Sequence, residues 1–324
     1  MKNIYKLLIG ILCIAVLFVT GCDKEYKEYS KTYFYMDTYI NVKINSENEE
    51  KASKVLDEID AIFNEYHNLT NKYEDYEKGL YRLNMNGSGE IDSKLYDIIE
   101  YGYNFYPESN KLLNIGIGNV TDIWKKYREE GNGVPSLEEL KSVNIDYNNI
   151  KLDNESVTLK NGVTIDLGSL AKGYATDIVG DYLKSEGITD YIINAGGNVL
   201  VGKKYSKDKY KIGIEDPTGE VSIYKIIKAE NVAVVTSGGY RRSYTYNGVN
   251  YNHIIDPNTL YPANNMLSVT VITKESKEAD ILSTTLFLMS YEDGLEYIKD
   301  YDVEVIWYLN DGTIKTTDGI SKYE

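Results

Sequence analysis

The chain is organised around residues 166–177, which read Asp-Leu-Gly-Ser-Leu-Ala-Lys-Gly-Tyr-Ala-Thr-Asp. Val163, Ile165 and Leu167 alternate as the end of a strand should. Gly168 permits a sharp turn, and Ser169 is a favoured helix N-cap. Leu170, Tyr174, Ile178 and Tyr182 then recur at helical spacing and give one apolar face. A strand that feeds directly into a helix fixes where the helix's first backbone N–H groups point, and such a cradle suits phosphate. Lys172 adds a full positive charge in the first turn, and Asp166 offers an acceptor for a ligand or a cation. Neither Gly-x-Gly-x-x-Gly nor Gly-Lys-Ser/Thr occurs here, so this is no dinucleotide or P-loop fingerprint. Taken alone, the stretch is also what an ordinary strand–turn–helix junction looks like.

Further stretches follow in order. Asn194-Ala-Gly-Gly-Asn198 and Thr236-Ser-Gly-Gly-Tyr-Arg241 each follow a predicted strand. His253-Ile-Ile-Asp-Pro257 follows another, and Ala279-Asp-Ile-Leu-Ser-Thr284 lies in a predicted helix. Together with residues 166–177, and at this spacing, they resemble the ApbE family of FAD:protein FMN transferases, many of them lipoproteins. The likeness runs from Met36 to Met289. It implies an α+β fold: mixed sheets with flanking helices, forming a two-lobed domain over residues 32–324.

Composition narrows the chemistry. The formal charge is −15 for 324 residues, and −17 once Lys2 and Lys6 leave with the leader. Such a body repels nucleic acid and anionic membrane surfaces, so no nucleic-acid partner is expected. Both cysteines, Cys13 and Cys22, fall near the N-terminus. The folded part therefore has no disulfide, thiolate nucleophile or cysteine metal site. An imidazole can come only from His67 or His253. His67 sits near the end of a predicted helix and reads as a dipole partner or surface residue.

Residues 1–21 have a basic start and a short apolar run, as a signal peptide does. They end Val-Thr-Gly-Cys22, which resembles a lipoprotein cleavage box. The expected mature chain starts at a Cys22 carrying acyl groups such as palmitate, with residues 23–31 as a tether. The protein would then be exported and lipid-anchored to the outer face of the cell membrane. A strand is predicted over 32–44 and helices over 49–69, 93–106 and 136–143. Residues 150–165 read as short strands with an Asn161-Gly162 hairpin turn. The chain turns β-rich after the central helix. Helices over 276–289 and 291–299 follow, with strands at 267–273 and 303–309. Strict βαβ alternation is missing, which argues against a two-lobed solute-binding lipoprotein.

The resemblance assigns roles residue by residue. Met36, Tyr73, Leu112, Leu113, Asn114, Asp166, Lys172 and Ile254 map to FAD contacts. Lys172 and the helix start would hold phosphate oxygens. Asp280 and Thr284, four apart on one helix face, map to Mg²⁺ ligands, with Ser169 giving a main-chain oxygen. An all-oxygen set suits magnesium better than zinc. His253 is the general-base candidate, although a histidine beside the Asp256-Pro257 turn also reads as structural. The implied reaction is attack by a Ser or Thr hydroxyl of an acceptor redox flavoprotein on the FMN-side phosphorus of FAD, with AMP leaving. Hydrolysis of FAD to FMN and AMP, or flavin binding without catalysis, are the alternatives. The chain departs from the family pattern at Asp37, Leu113, Asn114, Gly239 and Leu260. At Leu260 a glycine is usual, and a reshaped turn is expected.

Overall fold

The computed structural model describes residues 25–324 apart from 154, 155 and 207. The leader and Cys22 lie outside the described residues. The first feature differs from the sequence reading. Residues 32–44 are not one strand but parts of two, β1 (Lys27–Tyr35) and β2 (Thr38–Ser46), paired antiparallel. Met36 and Asp37 turn the chain with φ of 52° and 57°. Two left-handed residues are what a tight hairpin needs, and aspartate accepts that region better than most side chains. The apolar alternation runs straight through, with no glycine to mark the turn. β1 also begins at Lys27, inside the stretch read as a tether.

An eight-stranded antiparallel sheet in the order β1-β2-β6-β7-β10-β13-β14-β15 forms the backbone of the fold. Its later strands are β6 (Tyr191–Ala195), β7 (Asn198–Val201), β10 (Val232–Gly238), β13 (Met266–Thr273), β14 (Glu304–Leu309) and β15 (Ile314–Thr316). Smaller units are the sheet of β3 (Ser88–Glu90), β5 (Ser156–Leu159) and β4 (Ile150–Asp153), and two hairpins. The hairpins are β8 (Tyr210–Glu215) with β9 (Ile223–Ala229), and β11 (Ser243–Tyr246) with β12 (Val249–Asn252). Asn161 and Gly162 do make a turn, with φ of 53° and 73°, but it follows β5 instead of joining β4 to β5.

Helix α1 (Glu49–Thr70) is capped by the Asn48 side chain, which accepts from the Lys51 N–H. It buries Val55, Ile59 and Phe63 against β1 and β2. Helices α2 (Leu80–Asn86), α3 (Ser93–Glu108), α4 (Gly118–Glu130) and α5 (Leu137–Lys141) lead into β4. The central helix α6 (Ala171–Ser185) packs against α7 (Ser276–Phe287), which lies on β10 and β13; α8 (Tyr291–Tyr297) follows. Val163, Ile165 and Leu167 are buried as expected, but only Thr164 makes a strand-like bridge, to Ile117.

The expected Ser169 cap is not formed. Helix α6 starts after Leu170, and no side chain of its own caps it. A neighbouring helix supplies the cap. Asp280 of α7 accepts the Gly173 N–H at 2.8 Å, while Asp177 of α6 accepts the N–H groups of Ser276 and Lys277 at 2.7 and 2.8 Å. Each helix start is thus closed by a carboxylate from the second turn of the other. Gly173 makes this possible, since a Cβ there would lie 2.5 Å from the Ser276 carbonyl oxygen and 2.7 Å from Asp280 Cβ. Gly173→Ala is expected to force the helices apart and cost about 1–3 kcal/mol of stability. Thermal unfolding of the purified variant, compared with the unchanged chain, measures that cost.

Candidate active site

The α6–α7 junction collects the residues with the most chemistry. Asp280 is buried, 5% exposed, and the charged side chain that acts on it is Lys172. Burial raises its pKa above the usual carboxylate range, opposed by Lys172 and the Gly173 N–H. One turn on, the Thr284 hydroxyl lies 3.3 Å from Ser237 Oγ, which also bonds Ser283 at 2.8 Å. Because Gly173 gives its N–H to Asp280, it does not close a turn onto Ser169. Among the described residues none donates a hydrogen bond to the Ser169 carbonyl. A buried carboxylate, a hydroxyl and a carbonyl without a donor are oxygen donors only, the chemistry that suits a hard cation such as Mg²⁺. No group of three or more His, Cys, Asp and Glu side chains converges among the described residues, so a centre built from such side chains alone is not offered.

Lys172 reaches the Gly168 carbonyl at 3.2 Å and also bears on His253. The His253 Nδ1 is buried with no hydrogen-bond partner among the described residues. Burial pushes the imidazole pKa down to about 3, helped by the positive charges of Arg242, Lys172 and Arg128. Arg242 donates to the carbonyls of Met36 and Asp37 at 3.4 and 3.1 Å, so the β1–β2 turn reaches the same neighbourhood. The Met36 N–H in turn donates to His67 Nδ1 at 3.1 Å. His67 therefore pins that turn, a role beyond the surface or dipole part read for it.

Asp166 lies just before the α6 entry. Its Oδ1 accepts the Gly168 N–H at 2.8 Å; its Oδ2 accepts from Thr121 at 2.7 Å and pairs with Lys72 at 2.9 Å. Burial would raise the Asp166 pKa, but Lys72, Thr121 and the Gly168 N–H together hold it at about 2. Lys72 is itself buried and also meets Asp122 at 2.8 Å and the Gly118 carbonyl at 3.0 Å. Tyr73 is half exposed; its hydroxyl donates to Asp122 at 3.1 Å and its ring lies under Lys125 Nζ.

The structure thus joins Met36, His253, Lys172, Asp280, Thr284, Ser169, Asp166 and Tyr73 through shared neighbours. Leu113 is core, and the Asp166 N–H donates to the Ile115 carbonyl at 2.8 Å, which ties that segment in. Ile254 is buried beside His253, its N–H donating to Asn252. Leu112 stands apart. It lines a surface hollow of about 420 Å³ with Leu288, Met289 and Tyr297, and none of His253, Lys172, Asp280 or Thr284 lines it.

A model of the ApbE family matches residues 36–307. The chain belongs to the ApbE family. A relative from Vibrio cholerae named FAD:protein FMN transferase is 30% identical, covering 95% of this chain and 94% of its own length. One of the same name from Haemophilus influenzae is also 30% identical, with coverage of 93% and 92%. The crystal structure of an ApbE protein from Thermotoga maritima superposes with a TM-score of 0.84 at 28% identity, covering 92% of this chain and 99% of that one. Flavin transferase ApbE from Vibrio cholerae gives 0.80 at 24% identity over 93% of this chain and 100% of that one, a likeness of fold.

Membership of the ApbE family makes the departures informative. Asn114 stands where the ApbE pattern has an acid, and its amide is used at both ends. It donates to the Ile145 carbonyl at 2.8 Å and accepts the Gly116 N–H at 2.9 Å. A carboxylate could not make the first of these bonds. At Leu260 the chain keeps a backbone suited to glycine. Leu260 itself adopts a φ of 65°, the region that favours glycine, and is held there by burial with Trp124 and Leu140. Trp124 Nε1 donates to the Leu260 carbonyl at 2.8 Å. Gly239 leaves space that the Asn252 side chain fills, 3.1 Å from where a Cβ would stand. Sequence reasoning missed Lys72, Arg242, Arg128 and the capping role of Asp177.

Proposed function

We propose that this chain is a Mg²⁺-dependent FAD:protein FMN transferase, moving FMN from FAD to a Ser or Thr of an acceptor flavoprotein with release of AMP. The observation that carries the reading is the α6 entry. There the bond from Gly173 to Asp280 leaves the Ser169 carbonyl free beside a buried carboxylate. Asp280, Thr284 and the Ser169 carbonyl would hold the cation, which supplies charge neutralisation to the pyrophosphate oxygens. Lys172 adds a positive charge for the same oxygens. The first N–H groups of α6 are largely committed: Ala171 bonds Leu167 and Gly173 bonds Asp280, so Lys172 carries the phosphate role expected of the helix start. Met36, Tyr73, Leu113, Asn114, Asp166 and Ile254 are proposed to line the flavin nucleotide, with Leu112 at its margin. His253, whose Nδ1 has no hydrogen-bond partner among the described residues, is proposed to take the proton of the attacking hydroxyl. Cys22 is proposed to carry the lipid anchor that keeps the enzyme at the outer face of the cell membrane.

The test is the intact mass of an acceptor domain after incubation with the purified mature chain, FAD and Mg²⁺. The expected result is a gain of one FMN phosphoester, lost with EDTA and lost in Asp280→Ala. Free FMN and AMP without that gain would make the chain a hydrolase. Unchanged FAD across several acceptors would leave only flavin binding.

A further inference from the structure

The hairpin of β8 and β9 has two unlike faces. Tyr210, Ile212, Ile214, Ile227 and Ala229 point inward and build the second core cluster. On the outer face Lys211 stands directly opposite Lys228. Like charges directly opposed weaken a strand pair, so this arrangement lacks a structural reason within the sheet. Neither lysine forms a direct ion pair with another described residue; Glu324 is held by Lys225 and feels Lys228 only at longer range. Glu215, the acid on the strands of this face, is engaged by Arg241 and Tyr240, and the exposed Glu220 lies in the turn next to Val221. From the lysines toward the turn, three branched aliphatic side chains lie open: Ile226 (54% exposed) opposite Gly213, Ile223 (52%) opposite Glu215, and Val221 (55%) in the turn itself.

The described chain starts at the foot of this hairpin. Tyr26 stacks on Tyr205 with ring centroids 3.7 Å apart, and Lys204 Nζ lies 4.7 Å from the ring centre of Tyr210, the first residue of β8. Cys22 is four residues before Tyr26. Four extended residues reach at most about 14 Å.

We infer that the outer face of this hairpin, Lys211, Lys228, Val221, Ile223 and Ile226, rests on the anionic membrane surface to which Cys22 is anchored. This rests on the lipid-anchor reading proposed above. Paired cations with exposed aliphatic side chains are what the boundary between headgroups and acyl chains accepts. The net charge of −17 sharpens the point, because an acidic body is repelled by anionic lipid everywhere except where its local sign reverses. The short reach from Cys22 and the paired lysines together favour this face toward the lipid.

The experiment uses the acylated mature chain, whose sole native cysteine is Cys22. Ile226→Cys carries an environment-sensitive fluorophore, and Met85→Cys, at a site 68% exposed on α2, is the control. On phosphatidylglycerol–phosphatidylcholine vesicles the Ile226 probe is expected to shift to the blue and to be quenched by a lipid-borne quencher. The Met85 probe is expected to show neither. Adding Lys211→Glu and Lys228→Glu should abolish the shift while the protein stays on the vesicles through its lipid. An unshifted Ile226 probe, equal quenching at both sites, or a shift seen only with an acceptor protein present would overturn the assignment. A mature chain whose mass shows no lipid at Cys22 would instead sink the anchor reading, and this face with it.

Discussion

Replacing Lys72 with methionine is expected to destabilise the protein by about 3 kcal/mol, at the low end of what removing one partner of a buried ion pair costs. Lys72 has a side-chain exposure of 7% and sits between Asp166 and Asp122, whose exposures are 22% and 46%. Methionine fills similar volume, so the loss reports charge and hydrogen bonds, not a cavity. The dependence on pH should also change sign. With Lys72 present, the folded-state pKa of Asp166, about 2, lies below its unfolded value near 3.8. The pair therefore contributes stability that is full above pH 4 and is lost as pH falls toward 2. Without the lysine, burial acts on Asp166 with no cation in contact, and its folded pKa rises above the unfolded one. The variant should then gain stability as pH falls toward 3.8 and level off below it, whereas the unchanged chain holds its stability down to about pH 4 and loses it below. Denaturant unfolding at a series of pH values measures both slopes. Adding Asp166→Asn to the methionine variant should recover part of the loss, since no buried charge is then left unpaired. A loss under 0.5 kcal/mol, taken here as roughly the scatter expected of surface substitutions, would mean the ion pair is not formed.

The same site shows what a sequence can and cannot reveal. The helix entry within residues 166–177 was legible because a glycine and helical spacing are local signals, while the strand read before it is reduced to the Thr164 bridge. The Asp280–Thr284 pair was legible because two positions on one helix share a face. What stayed hidden was long-range. The bond from Gly173 to Asp280 and those from Ser276 and Lys277 to Asp177 span 107, 99 and 100 positions, so the closing of each helix by the other leaves no local trace. Lys72 reads as one more lysine in a polar loop until Asp122 and Asp166 fold around it. The Met36-Asp37 turn was missed for the opposite reason. Its neighbours keep strand alternation through the bend, and the left-handed backbone is taken by residues that do not announce it. Leu260 likewise shows that packing can hold a leucine where a turn would prefer glycine, because its side chain is buried against Trp124.

His253→Ala is expected to lower kcat for FMN transfer by roughly 10²–10⁴, the usual contribution of a positioned general base, with little change in the affinity for FAD. The pH profile gives the sharper test. Only the neutral imidazole can accept a proton. An ordinary histidine would switch off below about pH 6.5. Burial, with Arg242, Lys172 and Arg128, holds His253 neutral down to about 3 in the free protein. The profile of kcat/KM, which reports free enzyme, should therefore show no acid limb near pH 6.5. Bound FAD brings two phosphates among the same cations and offsets them, so the imidazole becomes more basic once substrate is in place. The acid limb of kcat should accordingly lie at higher pH than that of kcat/KM. The folded state carries the matching penalty: below pH 6.5 the unfolded chain binds a proton here that the folded one refuses, so stability falls as pH drops toward 3. A limb at 6.5 in both profiles would show that neither burial nor the three cations acts on His253. A limb in kcat alone ties its basicity to the arrival of the substrate, so the base becomes strong only when there is a phosphate to attack.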